Sequence, residues 1–593
     1  MNTTAGTVSL WILLAVSPVA ALGADAKPPD NAASVRFQWN AKIPLRDGVQ
    51  LSATMYTPRD QKGPAPCIFT LTPYIAQSYH DRGMYFAAHG YPFLTVDVRG
   101  RGNSEGTFRP LIQEAQDGYD VVEWLARQPY CNGKVAMWGG SYAGYDQWAT
   151  AKEFPPHLAT IVPAAAPYAG VDFPSRGNVF DSYLVQWLTF TDGHASQINL
   201  FTDFPFWLTK NRQWFESGSP FKDLDTQIGN PSATFQQWIA HPTLGAYWDA
   251  YNPTAEQYAK LSIPILTITG SYDGDQPGAL AHYQQYDKHA SAEGRARHYL
   301  VIGPWDHAGT RTPKADVGGL TFGAASLVDL PKLHLDWYAW TMQGGPKPAF
   351  LQKRVAYYVM QADTWRYADT LAGVTAESRA FHLDSAANAT DVLASGSLRT
   401  EPPTGQPDHY VYDPRDLGTA ALETTLDPES LTEQSLIFAR HGKQLVYHTA
   451  PFEKDTEVTG FFKLSAWLAI DQPDTDFAVS VYEIRPDGTS IKLSDDRQRA
   501  RFRESAHEAK LITSRKPLRY DFSQFTFTSR LITKGSRLRL VIGPIDSIFT
   551  QKNYNAGGDV SAESSRDARA VTVTLYHDKA HPSALYVPIG QRE

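Results

Sequence analysis

Cysteine is nearly missing: 593 residues contain two, Cys67 and Cys131. Two thiols cannot staple a chain of this size, so a hydrophobic core, not a disulfide framework, must hold it together. Both read as small buried apolar residues, and whether they pair stays open; neither stands near a histidine or helix start that would mark a catalytic thiol. Charge of one sign is missing too. Lys and Arg number 54 against 62 Asp and Glu, a net charge of −8 with no block of like sign, which offers no surface to nucleic acid or an anionic membrane. Apolar runs of about 20 residues, the length a spanning helix needs, are absent, so no stable membrane insertion is expected. The run Val8 to Val16 is shorter and is followed by Pro18, Ala21 and Gly23. That is the pattern of a secretory signal peptide, residues 1–23 with the cut near Gly23 or Ala26, although its only positive charge is the terminal amine. The expected location is the periplasm or the medium. There is no internal repeat or low-complexity tract.

What is present is organised in blocks. At about 150 residues per domain the length allows three to four units. From Val35, "VRFQWNAKIPLRDGVQLSATMYTP" alternates as a hairpin about the turn "RDG". Short apolar runs then alternate with helical patterns: "PCIFTLTPY", "YPFLTVDVRG", "GKVAMWGGS", "ATIVPAAAP", "PILTITGSYD" and "RHYLVIGPWDH". Between the second and third lies "IQEAQDGYDVVEWLARQ", with the three-to-four-residue period of a helix. Strands apolar on both faces, separated by helices, predict an α/β class with a mostly parallel sheet covered on both sides. We expect core segments over 34–170 and 259–347. Between them, over 171–258, an inserted helical cap is expected, crowded with Phe180, Trp187, Phe190, Phe204, Trp207, Trp214, Trp238 and Trp248; most of these should be helix packing and some should line a cleft. From 348 to 593 helical period fades and short strands with the turn "RPDG" predict a β sandwich or jelly roll. Its expected role is to wall one side of the cleft and support contacts between copies, with homo-oligomerisation left open.

The chemistry centres on "KVAMWGGSYAGYDQWATA". Lys134 to Trp138 reads as a strand and Tyr142 to Phe154 as a helix stopped by Pro155 and Pro156, so Ser141 stands at a sharp strand-to-helix corner, the position of a nucleophile elbow. The usual second glycine of G-x-S-x-G is here Ala143, with Gly144 one place late. A serine hydroxyl needs a base and an orienting carboxylate, which in doubly wound hydrolases follow in the order Ser, acid, His at strand ends. "ITGSYDGD" offers Asp273 or Asp275, with Asp273 preferred as nearer the strand end, and "IGPWDHAG" offers His307. Asp306 reads as solvated or capping. Donors for an oxyanion are expected from the Tyr142 backbone N–H and from Tyr74 after "CIFTLTPY". "DVRGRGNSEG" lacks the Lys and Ser/Thr of a phosphate loop, so Asp97 and Arg99 read as structural and no cofactor or metal is expected.

In order, "TPY", "VDVRGRGNSEG", "NGKVAMWGGSYAG", "YDG" and "GPWDHAG" resemble the cocaine esterase, glutaryl acylase and α-amino acid ester hydrolase family, related to X-Pro dipeptidyl peptidases. The resemblance spans nearly the whole mature chain and includes the displaced glycine. It implies an α/β-hydrolase core with a helical cap and a C-terminal jelly roll, a triad of Ser141, Asp273 and His307, and an oxyanion hole of Tyr74 and the Tyr142 N–H. The substrate is expected to be a small ester or amide. "HPTLGAYW" is similar to the amino acid ester hydrolases, which hold a substrate ammonium with acids; Asp181 and Asp275 are the matching candidates, but Gln276 stands where another acid would be. The alternatives are therefore a simple esterase or acylase, or an enzyme requiring a free substrate amine. A non-catalytic carbohydrate-binding protein would have lost a triad member, and all three are present.

Overall fold

A computed structural model describes residues 34–591; the expected signal segment lies outside the described residues. The chain opens with the hairpin β1 (Val35–Pro44) and β2 (Gln50–Pro58), turning through Arg46, Asp47 and Gly48. β3 (Ala65–Thr72), β4 (Phe93–Asp97), β5 (Cys131–Gly140), β6 (Leu158–Ala164), β7 (Ile265–Tyr272) and β8 (His298–Asp306) follow, all mutually parallel, then β9 (Val355–Val359), parallel to β8, and β10 (Thr364–Ala368), antiparallel on the edge. Across the ten-stranded sheet they lie in the order β1-β2-β4-β3-β5-β6-β7-β8-β9-β10. Helices α1 (His80–Ala88), α2 (Glu114–Ala126) and α3 (Tyr142–Ala151) make the first crossovers. Every residue of β4 is buried, as a strand covered on both faces requires. One face packs around Val121, Trp148 and Tyr286, the other around Phe86, Trp138 and Trp337. Cys67 and Cys131 are buried free thiols on β3 and β5.

The hydrolase sheet continues further than the expected boundary at 348. β9 and β10 belong to it, β9 pairing in parallel with β8 and β10 antiparallel with β9; all five residues of "VAYYV" are buried, as in the other strands covered on both faces. The remaining C-terminal strands form a separate all-β assembly around Leu445, Phe477, Leu540 and Val573, including the "RPDG" hairpin of Asp476–Ile484 with Ser490–Arg499. Between β6 and β7 the chain is largely helical. Trp207, Trp214, Trp238 and Trp248 are packed together there against Tyr142 and Tyr145 of α3, so the cap is built directly onto the helix that follows Ser141. Among the described residues no helix is long and apolar enough to cross a membrane.

Candidate active site

Ser141 joins β5 to α3 with φ 62° and ψ −129°, a conformation non-glycine residues rarely adopt and one that an elbow imposes. The turn is held by Ser141 N–H donating to Ala164 O at 2.9 Å and by Gly144 N and Tyr145 N donating to Ser141 O. The late glycine has a steric cause: a Cβ on Gly144 would lie 2.7 Å from Ala164 O and 3.1 Å from Ala166. α3 rests on the end of β6 at that point, while Ala143 is accommodated because its methyl faces Gly139, whose own φ is 153°.

Asp273 follows β7 and His307 follows β8, both at carboxyl ends of parallel strands. His307 Nδ1 is 2.8 Å from Asp273 Oδ1; Asp275 N donates to the same oxygen at 3.0 Å and Thr269 Oγ1 to Oδ2 at 2.9 Å. Burial alone would push the Asp273 carboxyl up, but the His307 hydrogen bond and charge, with those two donors, hold it below the usual carboxylate range. Burial likewise opposes a charged imidazole, yet Asp273 outweighs it and raises His307 above the ordinary value, helped by Asp275 and opposed by Arg311. Asp306 caps its own loop, accepting from Gly309 N at 2.6 Å.

Tyr74 OH lies 3.4 Å from Ser141 Oγ and accepts from Trp187 Nε1 at 3.2 Å. With the indole N–H occupying a lone pair, the phenol keeps its own proton to donate toward Ser141. Burial pushes the Tyr74 phenol well up, so it stays neutral. Its loop is fixed from below: Ala76 N donates to Asp97 Oδ1 at 2.7 Å, and buried Arg101 reaches Pro73 O and the cap carbonyls of Phe190 and Asp192. Asp97 is thus structural, as is Arg99, forked on Asp117 and paired with Asp47. The Tyr142 side chain is anchored as well. Its hydroxyl donates to buried Glu114 Oε1 and accepts from Leu111 N, both at 2.6 Å, an anchor for the backbone N–H beside Ser141 that no local sequence pattern announces.

Ser141, Tyr74, Tyr142 and His307 open into one cavity of about 650 Å³. The X-Pro dipeptidyl-peptidase (S15 family) profile matches residues 47–309, and that of the X-Pro dipeptidyl-peptidase C-terminal non-catalytic domain matches 350–586. The chain belongs to this family of serine hydrolases. The cocaine esterase of Rhodococcus sp. (strain MB1 Bresler) is 26% identical over 579 residues, covering 93% of this chain and 98% of that protein. An α-amino acid ester hydrolase structure is similar with a TM-score of 0.80 at 20% identity, covering 95% of this chain and 100% of the other. An aminopeptidase from the marine sediment archaeon Thaumarchaeota archaeon gives 0.78 at 20% identity, covering 94% and 97%. At such identity the two structures speak for the fold.

As in the sequence expectation for this S15-family hydrolase, the β domain walls the cavity, through Pro428, Glu429 and Leu431, with Leu431 N bonded to Gly318 O at 2.9 Å. Trp187, Phe201 and Phe204 supply the aromatic cap wall. Both expected acids, Asp181 and Asp275, reach the cavity lining. Asp181 lines the cavity, but Arg497 of the β domain takes both its oxygens, at 2.8 and 2.6 Å, so its charge is spent on joining cap to sandwich. Asp172 lines the cavity as well; its carboxyl accepts from Tyr168 N and Gly278 N and interacts with Asp273 and Asp275. Burial, with Asp273 nearby, pushes Asp172 up to about 8; burial and these neighbours raise Asp275 too, whose Oδ2 is 3.7 Å from His307 Nδ1. Gln276 cannot substitute for an acid at the cavity: it is fully buried, donating to Gly270 O and Phe527 O and accepting from Phe527 N at 2.6 Å.

Proposed function

We propose that the protein is an exported serine hydrolase that cleaves an ester or amide bond of a small acyl substrate through a Ser141 acyl-enzyme. The observation that carries this reading is the 2.8 Å bond to Asp273 from Nδ1 of His307, which lines the same cavity as Ser141 and Tyr74. Asp273 keeps the proton on Nδ1, which leaves Nε2 as the base. His307 Nε2 takes the Ser141 proton as Oγ attacks the carbonyl carbon. The tetrahedral oxyanion is held by the Tyr142 N–H and the Tyr74 O–H, each such donor being worth about 10²–10³ in rate. The imidazolium, stabilised by Asp273, then protonates the leaving alcohol or amine, and water repeats the sequence on the acyl-enzyme to regenerate Ser141. Because His307 is raised, activity is lost as pH falls through a value above the ordinary imidazole range of about 6.5.

Ser141→Ala is expected to lower kcat by about 10⁴-fold or more without moving the thermal midpoint. Retention of more than a few per cent of activity would overturn the assignment. One observation favours a second reading, an α-amino acid ester hydrolase or X-Pro dipeptidyl peptidase that needs a free substrate amine: Asp172 and Asp275 stand together in the cavity lining, with Glu429 of the β domain in the same wall. In that reading the carboxylates hold the ammonium while Ser141 attacks the adjacent carbonyl.

A further inference from the structure

Several half-buried arginines in this molecule are paired with acids, while other arginines, such as Arg101 and Arg295, are held by backbone carbonyls. Arg176 lies on Asp495, Arg354 on Asp287, Arg497 on Asp181 and Arg99 on Asp117. Arg82 and Arg311 have neither an acid nor a full set of carbonyls. Arg82, on α1, donates from Nη2 to Arg311 O at 2.9 Å and to Thr312 Oγ1 at 3.0 Å, and its guanidinium carbon lies 5.6 Å from the Trp138 ring centre. Arg311 donates from Nη1 to Thr310 Oγ1 at 3.2 Å and presses on the elbow, where a Cβ on Gly140 would be 2.3 Å from that nitrogen. Neither guanidinium has a carboxylate within ion-pair distance among the described residues. Burial and the charge of Arg311 both lower Arg82; Asp81 and Asp329 act on it only at longer range. Arg82 is thus bonded to the backbone of the segment that carries Arg311 and feels its like charge, with N–H groups to spare beside the exposed Thr312 hydroxyl, which accepts from Arg82 and keeps its own proton to donate.

We propose that Arg82, Arg311 and Thr312 form a binding site for a small oxyanion, a carboxylate or inorganic phosphate, next to the loop that carries His307. Planar guanidiniums match the paired oxygens of either group, and an anion there cancels the repulsion between the arginines. It also ties α1, which follows the Tyr74 loop, to the segment after His307. The source is either free phosphate or the acid released by the reaction; the second source rests on the proposed hydrolytic function.

Calorimetric titration of the full chain with sodium phosphate and, separately, sodium acetate, both at ionic strength fixed with sodium chloride, tests the site. Use of the Ser141→Ala protein keeps the result independent of turnover. One of the two anions is expected to bind saturably at a single site, at least tenfold more weakly in Arg82→Gln and in Arg311→Gln, with Arg82→Lys recovering part of the loss. Tighter binding of phosphate assigns the inorganic source, and tighter binding of acetate the product. Arg82→Gln alone, at a half-exposed position, keeps the test valid if Arg311→Gln does not fold. No saturable heat with either anion, or equal affinity in wild type and Arg82→Gln, overturns the proposal.

Discussion

Asp172 keeps its proton to about pH 8 because it is desolvated beside Asp273, against the pull of two backbone N–H donors. A raised carboxyl is neutral below that value and attracts a cation only above it. A competitive inhibitor with a fixed trimethylammonium charge should therefore bind more tightly as pH rises through about 8, by roughly tenfold for an attraction of ~1.4 kcal/mol. Asp172→Asn should flatten that part of the profile, while inhibition constants that respond identically to pH in the two proteins would remove Asp172 from the ligand site. At this scale the sequence was a partial guide. Ser141, Asp273, His307 and Tyr74 were legible because each sits at a strand end in a fixed order. The pairing of Asp181 was hidden because Arg497 lies 316 residues away, and Glu114 was silent because a glutamate in an amphipathic helix looks solvated until Tyr142 is seen above it.

Among the elements, the strand-turn-helix of β5 and α3 depends on one close approach, Gly144 against β6. Gly144→Val should push α3 off Ala164 O, costing about 1–3 kcal/mol of stability by overpacking, and should reduce turnover further by displacing Ser141 and the Tyr142 N–H. Thermal denaturation with parallel kinetics measures both; an unchanged midpoint and rate would mean the contact relaxes freely. The periods of α2 and α3 and the apolar runs of β3 to β8 could be read directly from sequence. β9 was legible as a strand but not as a member of this sheet, because its place is decided by β8 beside it, across the helix and loop that separate them in sequence.

Across the whole molecule, three units meet at the cavity, and polar joints hold them in register. Arg176–Asp495 and Arg497–Asp181 fasten the cap to the β domain. Gln276 fastens the hydrolase core to it through both backbone groups of Phe527. Gln276→Leu leaves those buried groups unpaired, and at about 1–3 kcal/mol for each unmet group it should lower the urea midpoint clearly; coincident transitions of variant and wild type would show that the joint adds no stability. Sequence could mark Gln276 only as an acid that was missing, because its role exists only once the β domain is docked. The central claim, that Asp273 and His307 activate Ser141, is tested most directly by a fluorophosphonate probe followed by mass mapping of the labelled peptide. The account predicts one adduct, on Ser141, that is lost in Ser141→Ala and at least 10³-fold slower to form in His307→Ala. An adduct on another residue, or labelling of Ser141 at an unchanged rate without His307, would contradict it.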